Sequence, residues 1–265
     1  MRKDSVCLQR EIRLRAARII SMSGSSHIGS VFSIADILAL LYGEVLHQGK
    51  GDRDDVFILS KGHACAGVYA ALNVLGVISD EEFSNYASDG SVLMSHISHK
   101  VPGVEFSTGS LGHGLPFAVG KALAARLRGN GRHVYVILSD GELDEGSNWE
   151  AILSAAHLEL EGLTCFVDRN RLQSLTSTEH TLALEPLREK FQAFGWKALE
   201  CDGHNLDAIA LCLAEAHEGR PKVVICETTK GHPVDFMRGR VEWHYRAPNA
   251  QQLIEIDHQV RSEYP

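Results

Sequence analysis

The chain has 265 residues, of which 44% are hydrophobic and 23% are charged, an ordinary composition for a globular protein. Its formal net charge of −8 argues against a broadly basic surface, so no nucleic-acid partner is expected. The sequence has no uninterrupted apolar run of about 18 residues, and its charged start does not resemble a secretory signal, so no membrane attachment is expected.

In chain order, the sequence alternates between helical and strand patterns. Residues 1–20 have the apolar spacing of an amphipathic helix. A short apolar run at 54–60 predicts a strand, and the alanine-rich stretch after it, which ends at Gly76, predicts a helix. Residues 114–131 predict another helix, with small residues on one face and a Gly-Asn-Gly stop.

The alternation continues to the end of the chain. Further strands are predicted at 132–140, 163–170, 196–202 and 221–229, and helices between them at 148–160, 184–195 and 205–219. Continuous apolar strands that alternate with helices indicate an α/β fold, with a parallel sheet covered by helices on both faces. The sequence contains no linker, so we expect a single domain over 1–265, with long loops at 84–112 and 171–186.

The spacing and surroundings of the cysteines indicate whether the thiols are reduced, and thus the kind of cellular compartment. There are six of them, scattered mostly through apolar segments, and no two form a CxxC pair. This pattern favours reduced, packed thiols over disulfides or a zinc site. We therefore expect a cytoplasmic protein.

Polar side chains stand where two predicted strands end. One strand ends in Asp140 and Gly141, and the next ends with Asp168 and Asn170. Ligands bind outside the carboxyl ends of strands in such sheets. Carboxylate and amide oxygens suit Mg²⁺ or Ca²⁺, and Mg²⁺ usually takes few protein ligands and keeps phosphates and water. These residues therefore predict a magnesium-diphosphate site, where Gly141 allows close approach of the backbone.

Asp-Gly before a helix, with a later Asn, is similar to the thiamine-diphosphate signature, although Ser139 stands where that signature usually has glycine. Four longer stretches resemble the amino-terminal part of transketolase, in the same order. They are SGSSHIGSVFSIADILALLYGEVL (23–46), RDDVFILSKGHACAGVYAALNVLG (53–76), PGVEFSTGSLGHGLPFAVGKALA (102–124) and EWHYRAP (242–248). The resemblance covers nearly the whole chain.

The resemblance implies thiamine diphosphate and Mg²⁺ as cofactors, with Ca²⁺ or Mn²⁺ as possible replacements for the metal. It implies transfer of a two-carbon ketol unit from a ketose or its phosphate to an aldose or its phosphate. The metal ligands would be Asp140, Asn170 and the backbone carbonyl of Leu172. Cofactor contacts would come from His63, Gly109, Leu111, Gly141, Glu145 and His244. Glu145 would couple paired sites across a dimer, but it equally suits the acidic first turn of a helix.

The chain has 14 histidines, and the resemblance assigns substrate chemistry to His27, His96 and His244. Imidazoles can polarise oxygens and move protons near neutral pH. His99 competes with His96 for the same aligned position, and His113 stands where the family usually has glutamine. Histidines that match no family motif are expected to be structural or at the surface, among them His47, His133, His157, His180, His204 and His258.

Transketolases also have a pyrimidine-binding domain, which supplies the glutamate that activates the cofactor, and a third domain. Neither has a counterpart in these 265 residues. The resemblance therefore implies an amino-terminal subunit that works with a separate carboxy-terminal subunit in an α2β2 assembly.

Three other functions remain open. A component of another thiamine-diphosphate enzyme, such as a 1-deoxyxylulose-5-phosphate synthase or a 2-oxo acid dehydrogenase, would share the metal motif. A non-catalytic cofactor-binding paralogue would keep the same residues without turnover. A generic nucleotide-binding sheet predicts a G-x-G-x-x-G loop after its first strand, and the sequence lacks that loop.

Overall fold

A computed structural model describes residues 4–47, 51 and 54–265; residues 1–3 of the first predicted helix and residue 53 of the second motif lie outside the described residues. Within the described residues the strands are β1 (Val56–Leu59), β2 (Val134–Ser139), β3 (Leu163–Arg169), β4 (Lys197–Asp202) and β5 (Lys222–Glu227). The α-helices of the same part are α1 (Ser5–Ser23), α2 (Ile28–Leu40), α3 (Cys65–Val74), α4 (Asp80–Ser84), α5 (Gly114–Arg128), α6 (Gly146–His157), α7 (Thr178–Thr181), α8 (Leu187–Ala193), α9 (Leu206–Ala214) and α10 (Ala250–Glu263).

The described strands form one parallel sheet in the order β1-β2-β3-β5-β4. The central strand β3 is buried along its whole length, which explains its continuous apolar run. The chain moves from β1 to β2, to β3 and to β4 in one direction across the sheet. It then moves back in the other direction from β4 to β5, through helix α9. Because such crossovers are right-handed, α9 lies on the face opposite to α5, α6 and α8. The predicted α/β fold, with helices on both faces of a parallel sheet, is confirmed.

The described residues fall into two compact units. Among the described residues, the sheet unit comprises 46–47, 51, 54–61 and 108–227 and holds the strands with α5 to α9. Among the described residues, the helical unit comprises 4–45, 62–107 and 228–265 and holds α1 to α4 and α10. The expected single domain over 1–265 stays a prediction.

Helix α2 forms the core of the helical unit, because every residue from Ile28 to Leu40 is buried. It packs against α1 and α3. With the π-helical turn that follows it, α2 makes a stretch, Ile28–Val45, whose length and mean hydropathy of 1.6 would suffice to cross a membrane. Since 89% of that stretch is buried inside the protein, packing accounts for its apolar composition.

The sequence patterns missed α2, α4 and α10 and the short α7 within the loop predicted at 171–186. Two of these helices begin at a capping box, and the short α7 begins at an N-cap serine, Ser177. Helix α4 begins at a capping box formed by Ser79 and Glu82, and α10 begins at one formed by Asn249 and Gln252. Helix α2 has no side-chain cap, so its start carries no such signal.

Candidate functional site

The carboxyl ends of β2 and β3 lie side by side. Ser139 pairs in register with Asp168, and the Asp140 N–H donates to the Asp168 carbonyl oxygen at 3.2 Å. The Arg171 N–H donates to Oδ2 of Asp140 at 2.6 Å. The structure therefore brings Asp140 next to the segment that carries Asn170.

Asp140 is a buried carboxylate surrounded by donors. Its Oδ1 accepts a hydrogen bond from the Gly141 N–H at 2.8 Å, and Oδ2 also accepts from Nη1 of Arg169 at 3.1 Å. Burial, followed by repulsion from Asp168, raises the pKa of Asp140 to about 6, despite these donors. A cation bound beside the carboxylate would favour its charged form.

Arg169, to which the sequence assigned no role, is buried and forms several contacts. Besides Asp140, its guanidinium contacts Oε1 of Glu185 at 3.0 Å and Oε1 of Glu179 at 3.3 Å. It also donates to Oγ1 of Thr178 at 2.9 Å. Arg169 therefore fixes the segment around α7 to the end of β3.

The side-chain amide of Asn170 is held in one orientation. Its Nδ2 donates to Oδ2 of Asp168 at 2.8 Å, and its Oδ1 accepts from the Leu172 N–H at 3.0 Å. The same Asp168 oxygen accepts from Nζ of Lys61, and both side chains of this ion pair are buried. Lys61 and Asp168, which the sequence did not mark, therefore position the Asn170 oxygen.

The predicted metal ligands suit a cation that takes few protein ligands. Asp140, Asn170 and the Leu172 carbonyl are hard oxygen donors on two adjoining segments. Oδ1 of Asp140 accepts one hydrogen bond in the described structure and keeps a lone pair for a metal. Across the described ranges, no group of three or more His, Cys, Asp or Glu side chains is placed to hold a metal ion. An ion here would therefore need further ligands from diphosphate or water, as Mg²⁺ does.

Glu142 is a buried residue that the sequence did not mark. It accepts hydrogen bonds from Oγ of Ser60 at 2.5 Å and from the Gly112 N–H at 3.0 Å, and burial raises its pKa. It thus ties the end of β1 to the segment that carries the half-buried Gly109 and Leu111. The letters SDGELDEG give no local signal that this acid is buried, whereas Glu145 is exposed.

This segment needs glycine at two positions. Gly112 has φ +82°, and a Cβ there would lie 2.5 Å from Oγ of Ser147. A Cβ on Gly114 would lie 2.2 Å from Oγ of Ser60. The backbone at these two positions is therefore in direct contact with neighbouring side chains. A Cβ on Gly141 would likewise lie 2.6 Å from Cγ of Gln173.

Four of the predicted histidines cluster in the helical unit. The ring centroid of His27 lies 5.1 Å from that of His63, 5.6 Å from that of His96 and 5.0 Å from that of His244. The His63 and His244 rings are 5.4 Å apart. The structure therefore brings the three predicted substrate-side histidines together with His63, and their roles stay predictions.

His27 is held by its backbone at the start of α2. It adopts the left-handed conformation with φ 76°, and its N–H donates to the His244 carbonyl oxygen at 2.9 Å. This conformation is unfavourable for most side chains, by about 1–2 kcal/mol. Backbone strain of this kind is found at sites where the position of a side chain matters.

A buried lysine that the sequence did not mark orients His244. Nζ of Lys230 lies 3.0 Å from Nδ1 of His244. Because an ammonium group donates and cannot accept, Nδ1 is the acceptor, and the neutral ring carries its proton on Nε2. A Cβ on Gly29 would lie 3.1 Å from Cγ of Lys230, so this glycine makes room for the lysine.

The geometry distinguishes His96 from His99. The His96 ring is exposed at the rim of the cluster, and desolvation by the protein around it still lowers its pKa. His99 contacts a different residue, because its Nδ1 lies 2.7 Å from Oγ of Ser107. His96 is thus the histidine that contacts the cluster. His113 is exposed and precedes α5 without a side-chain cap.

Comparison with known proteins adds independent findings. The family described as transketolase, thiamine diphosphate binding domain, matches residues 5–261. The chain is 39% identical over 256 residues to an apulose-4-phosphate transketolase subunit of Actinobacillus succinogenes, covering 93% of each protein. It is 35% identical to a 6-deoxy-6-sulfo-D-fructose transketolase subunit of a Clostridium species, covering 92% of each.

Among solved structures, the chain is similar to transketolase from Leishmania mexicana, with a TM-score of 0.90 and 30% sequence identity. That match covers 98% of this chain and 42% of the Leishmania chain. The chain thus spans less than half of that transketolase, whereas it spans nearly all of the two bacterial relatives.

Proposed function

The chain belongs to the transketolase family through its thiamine diphosphate binding domain, and we propose that it is the amino-terminal subunit of a two-component transketolase. It transfers a two-carbon ketol unit from a ketose phosphate to an aldose phosphate. The observation that carries this proposal is the cluster of His27, His63, His96 and His244, because separate motifs supply these rings and the fold brings them together.

The proposed partner is a separate carboxy-terminal subunit, and the proposed assembly is α2β2 in the cytoplasm. Two relatives of matching length are named as subunits, which supports a division into two chains. The proposed enzyme is active only when both subunits are present.

We assign the metal to Asp140, Asn170 and the Leu172 carbonyl, with Mg²⁺ as the ion. Their hard oxygen atoms and the fixed Asn170 amide support this choice. Contacts to thiamine diphosphate are proposed for Gly141 and for the segment with Gly109 and Leu111. Further contacts are proposed for His63, Glu145 and His244. When bound, thiamine diphosphate supplies the carbon nucleophile that carries the two-carbon unit.

The histidines bind and orient the substrate in this proposal. His244 donates from Nε2, because Lys230 occupies its Nδ1. His27 and His96 polarise substrate oxygens and move protons, a contribution typically worth about 10²–10⁴-fold in rate. The close packing of the rings keeps each one in a defined position.

The relatives are named for a sugar phosphate and a sulfosugar, so we propose a ketose with an anionic terminal group as donor. The test is to combine the purified chain with the candidate partner, thiamine diphosphate and Mg²⁺, and to identify the products from a ketose phosphate and an aldose phosphate. A ketose phosphate with two carbons more than the aldose phosphate, formed together with an aldose phosphate two carbons shorter than the donor, supports ketol transfer. In a parallel assay with pyruvate and the aldose phosphate, condensation with loss of carbon dioxide would indicate a 1-deoxyxylulose-5-phosphate synthase-like enzyme and contradict the proposal.

A further inference from the structure

Tyr245 is an exposed aromatic residue that contacts the histidine cluster, and the sequence motifs gave it no role. It directly follows His244 at the end of the short helical turn Val241–His244. Its ring centroid lies 4.7 Å from that of His244, with the ring planes at 70°, and 6.2 Å from that of His27. The Tyr245 ring therefore lies beside two of the histidines to which substrate chemistry is assigned.

The two aromatic side chains around this turn differ in burial. Trp243 is 4% exposed, and its Nε1 donates to the Phe236 carbonyl oxygen at 2.8 Å. Tyr245 is 58% exposed, and across the described ranges its hydroxyl group has no hydrogen-bond partner in the protein. Packing inside the protein therefore accounts for Trp243 but not for Tyr245. A phenol that packs against a polar site and keeps its hydroxyl group unpaired is suited to bind a ligand there.

Backbone hydrogen bonds on both sides hold Tyr245 in place. The Tyr245 N–H donates to the Glu242 carbonyl oxygen at 3.3 Å, and the Arg246 N–H donates to the same oxygen at 3.2 Å. The His244 carbonyl oxygen accepts from the His27 N–H at 2.9 Å, which ties the turn to the start of α2. The backbone is therefore preorganised, which lowers the entropic cost of binding a ligand at this ring.

The groups around the ring indicate the chemistry of the ligand. His244 presents an N–H donor on Nε2, and Lys230 places a cationic group at its Nδ1. These groups favour an oxygen-rich or anionic molecule. The Tyr245 phenol can both donate to and accept from a hydroxyl group, and its ring offers an apolar surface. A sugar phosphate, which has hydroxyl groups along a carbon chain, matches both features.

We propose that Tyr245 is a specificity-determining residue that hydrogen-bonds the hydroxyl group next to the reacting carbonyl of the aldose phosphate. In the proposed function, on which this inference rests, His27 and His244 bind substrate oxygens at the reacting carbon. Because the Tyr245 ring lies beside both histidine rings, the hydroxyl group on the neighbouring carbon is the one within its reach. A site that hydrogen-bonds a substrate hydroxyl group discriminates against an analogue that lacks it.

Calorimetric titration of the assembled complex, loaded with thiamine diphosphate and Mg²⁺, tests this contact. The probes are ribose 5-phosphate and 2-deoxyribose 5-phosphate, which differ only in the 2-hydroxyl group. Without a donor ketose neither probe is converted, so the titration measures binding alone. Tyr245→Phe keeps the ring and removes its hydroxyl group. We expect it to weaken binding of ribose 5-phosphate by about two- to tenfold, the usual effect of one neutral hydrogen bond, and to leave the affinity for 2-deoxyribose 5-phosphate nearly unchanged.

Tyr135→Phe is the matched control, because the Tyr135 ring belongs to β2 and is stacked on His133. It should change neither affinity. Equal losses for the two sugar phosphates in Tyr245→Phe, or no loss for either, would overturn the proposal. No binding of ribose 5-phosphate to the wild-type complex would also overturn it. Ketol transfer by the same complex is assayed separately with a donor ketose phosphate, so failure of the proposed function is distinguished from failure of this contact.

Discussion

Nζ of Lys230 lies 3.0 Å from Nδ1 of His244, and this contact decides which nitrogen of the His244 ring can donate to a ligand. A buried lysine beside a ring nitrogen makes that nitrogen an acceptor. The donor on Nε2 is thus set by a residue that the sequence motifs did not mark. The consequence can be measured without knowing the sugar substrate.

Replacing Lys230 with Met should remove the ammonium donor that faces Nδ1 of His244 and so mix the tautomers of the ring. We expect nitrogen NMR of the wild-type chain to show the His244 proton on Nε2, and of Lys230→Met to show a mixture. Turnover of the assembled enzyme should also fall. The loss should be smaller than the about 10²–10⁴-fold that a general acid–base group typically contributes. An unchanged His244 spectrum in Lys230→Met would remove the lysine from this role.

The role of His27 is best tested with a substitution that its backbone tolerates. Asn adopts the left-handed conformation more readily than Ala, so His27→Asn removes the imidazole with little added strain at φ 76°. We expect turnover to fall by about 10²–10⁴-fold while thiamine diphosphate affinity is nearly unchanged. His99→Asn is the matched control, because His99 contacts Ser107, and it should have little effect. Turnover within about twofold of wild type would contradict the proton-transfer role of His27.

The metal assignment predicts a loss of cofactor affinity. Asp140→Ala and Asn170→Ala should each weaken thiamine diphosphate binding in the presence of Mg²⁺ by at least about tenfold, since each removes an oxygen ligand. Calorimetric titration of the assembled complex measures this loss. Asp202→Ala, at the exposed end of the edge strand β4, is the control and should bind normally. Normal affinity in both site variants would place the metal elsewhere.

The Lys61–Asp168 ion pair should be important for stability, because both side chains are buried. Lys61→Met removes the ammonium group that contacts the buried Asp168 carboxylate, and breaking a buried ion pair in this way typically costs about 3–5 kcal/mol in the free energy of unfolding. Urea unfolding of the chain measures this loss. The exposed pair of Arg188 and Glu200 offers the control, since Arg188→Met should leave the unfolding free energy nearly unchanged. Equal effects of the two variants would contradict the account of Lys61.

Much of the fold could be predicted because buried parallel strands have continuous apolar runs. The runs that became β2 and β3 were visible, and so were Asp140 and Asn170 at their ends. Helix α2 was not recognised because it is buried all round, and such a helix lacks the amphipathic period that identifies surface helices.

The rest of the site could not be predicted because it depends on tertiary contacts. Lys61, Glu142 and Lys230 resemble ordinary charged residues in the sequence, and their importance comes from burial against distant partners. The histidines were located by resemblance alone, since their residue numbers range from 27 to 244. Local patterns cannot show that these rings meet.

The most direct test of the proposed function is turnover of a ketose phosphate and an aldose phosphate by the purified chain, with and without the candidate carboxy-terminal subunit, in the presence of thiamine diphosphate and Mg²⁺. We predict no ketol transfer by the chain alone and transfer when both subunits are present. Robust transfer by the chain alone would contradict the two-component account, and no transfer by the assembled pair from any ketose phosphate would contradict the proposed activity.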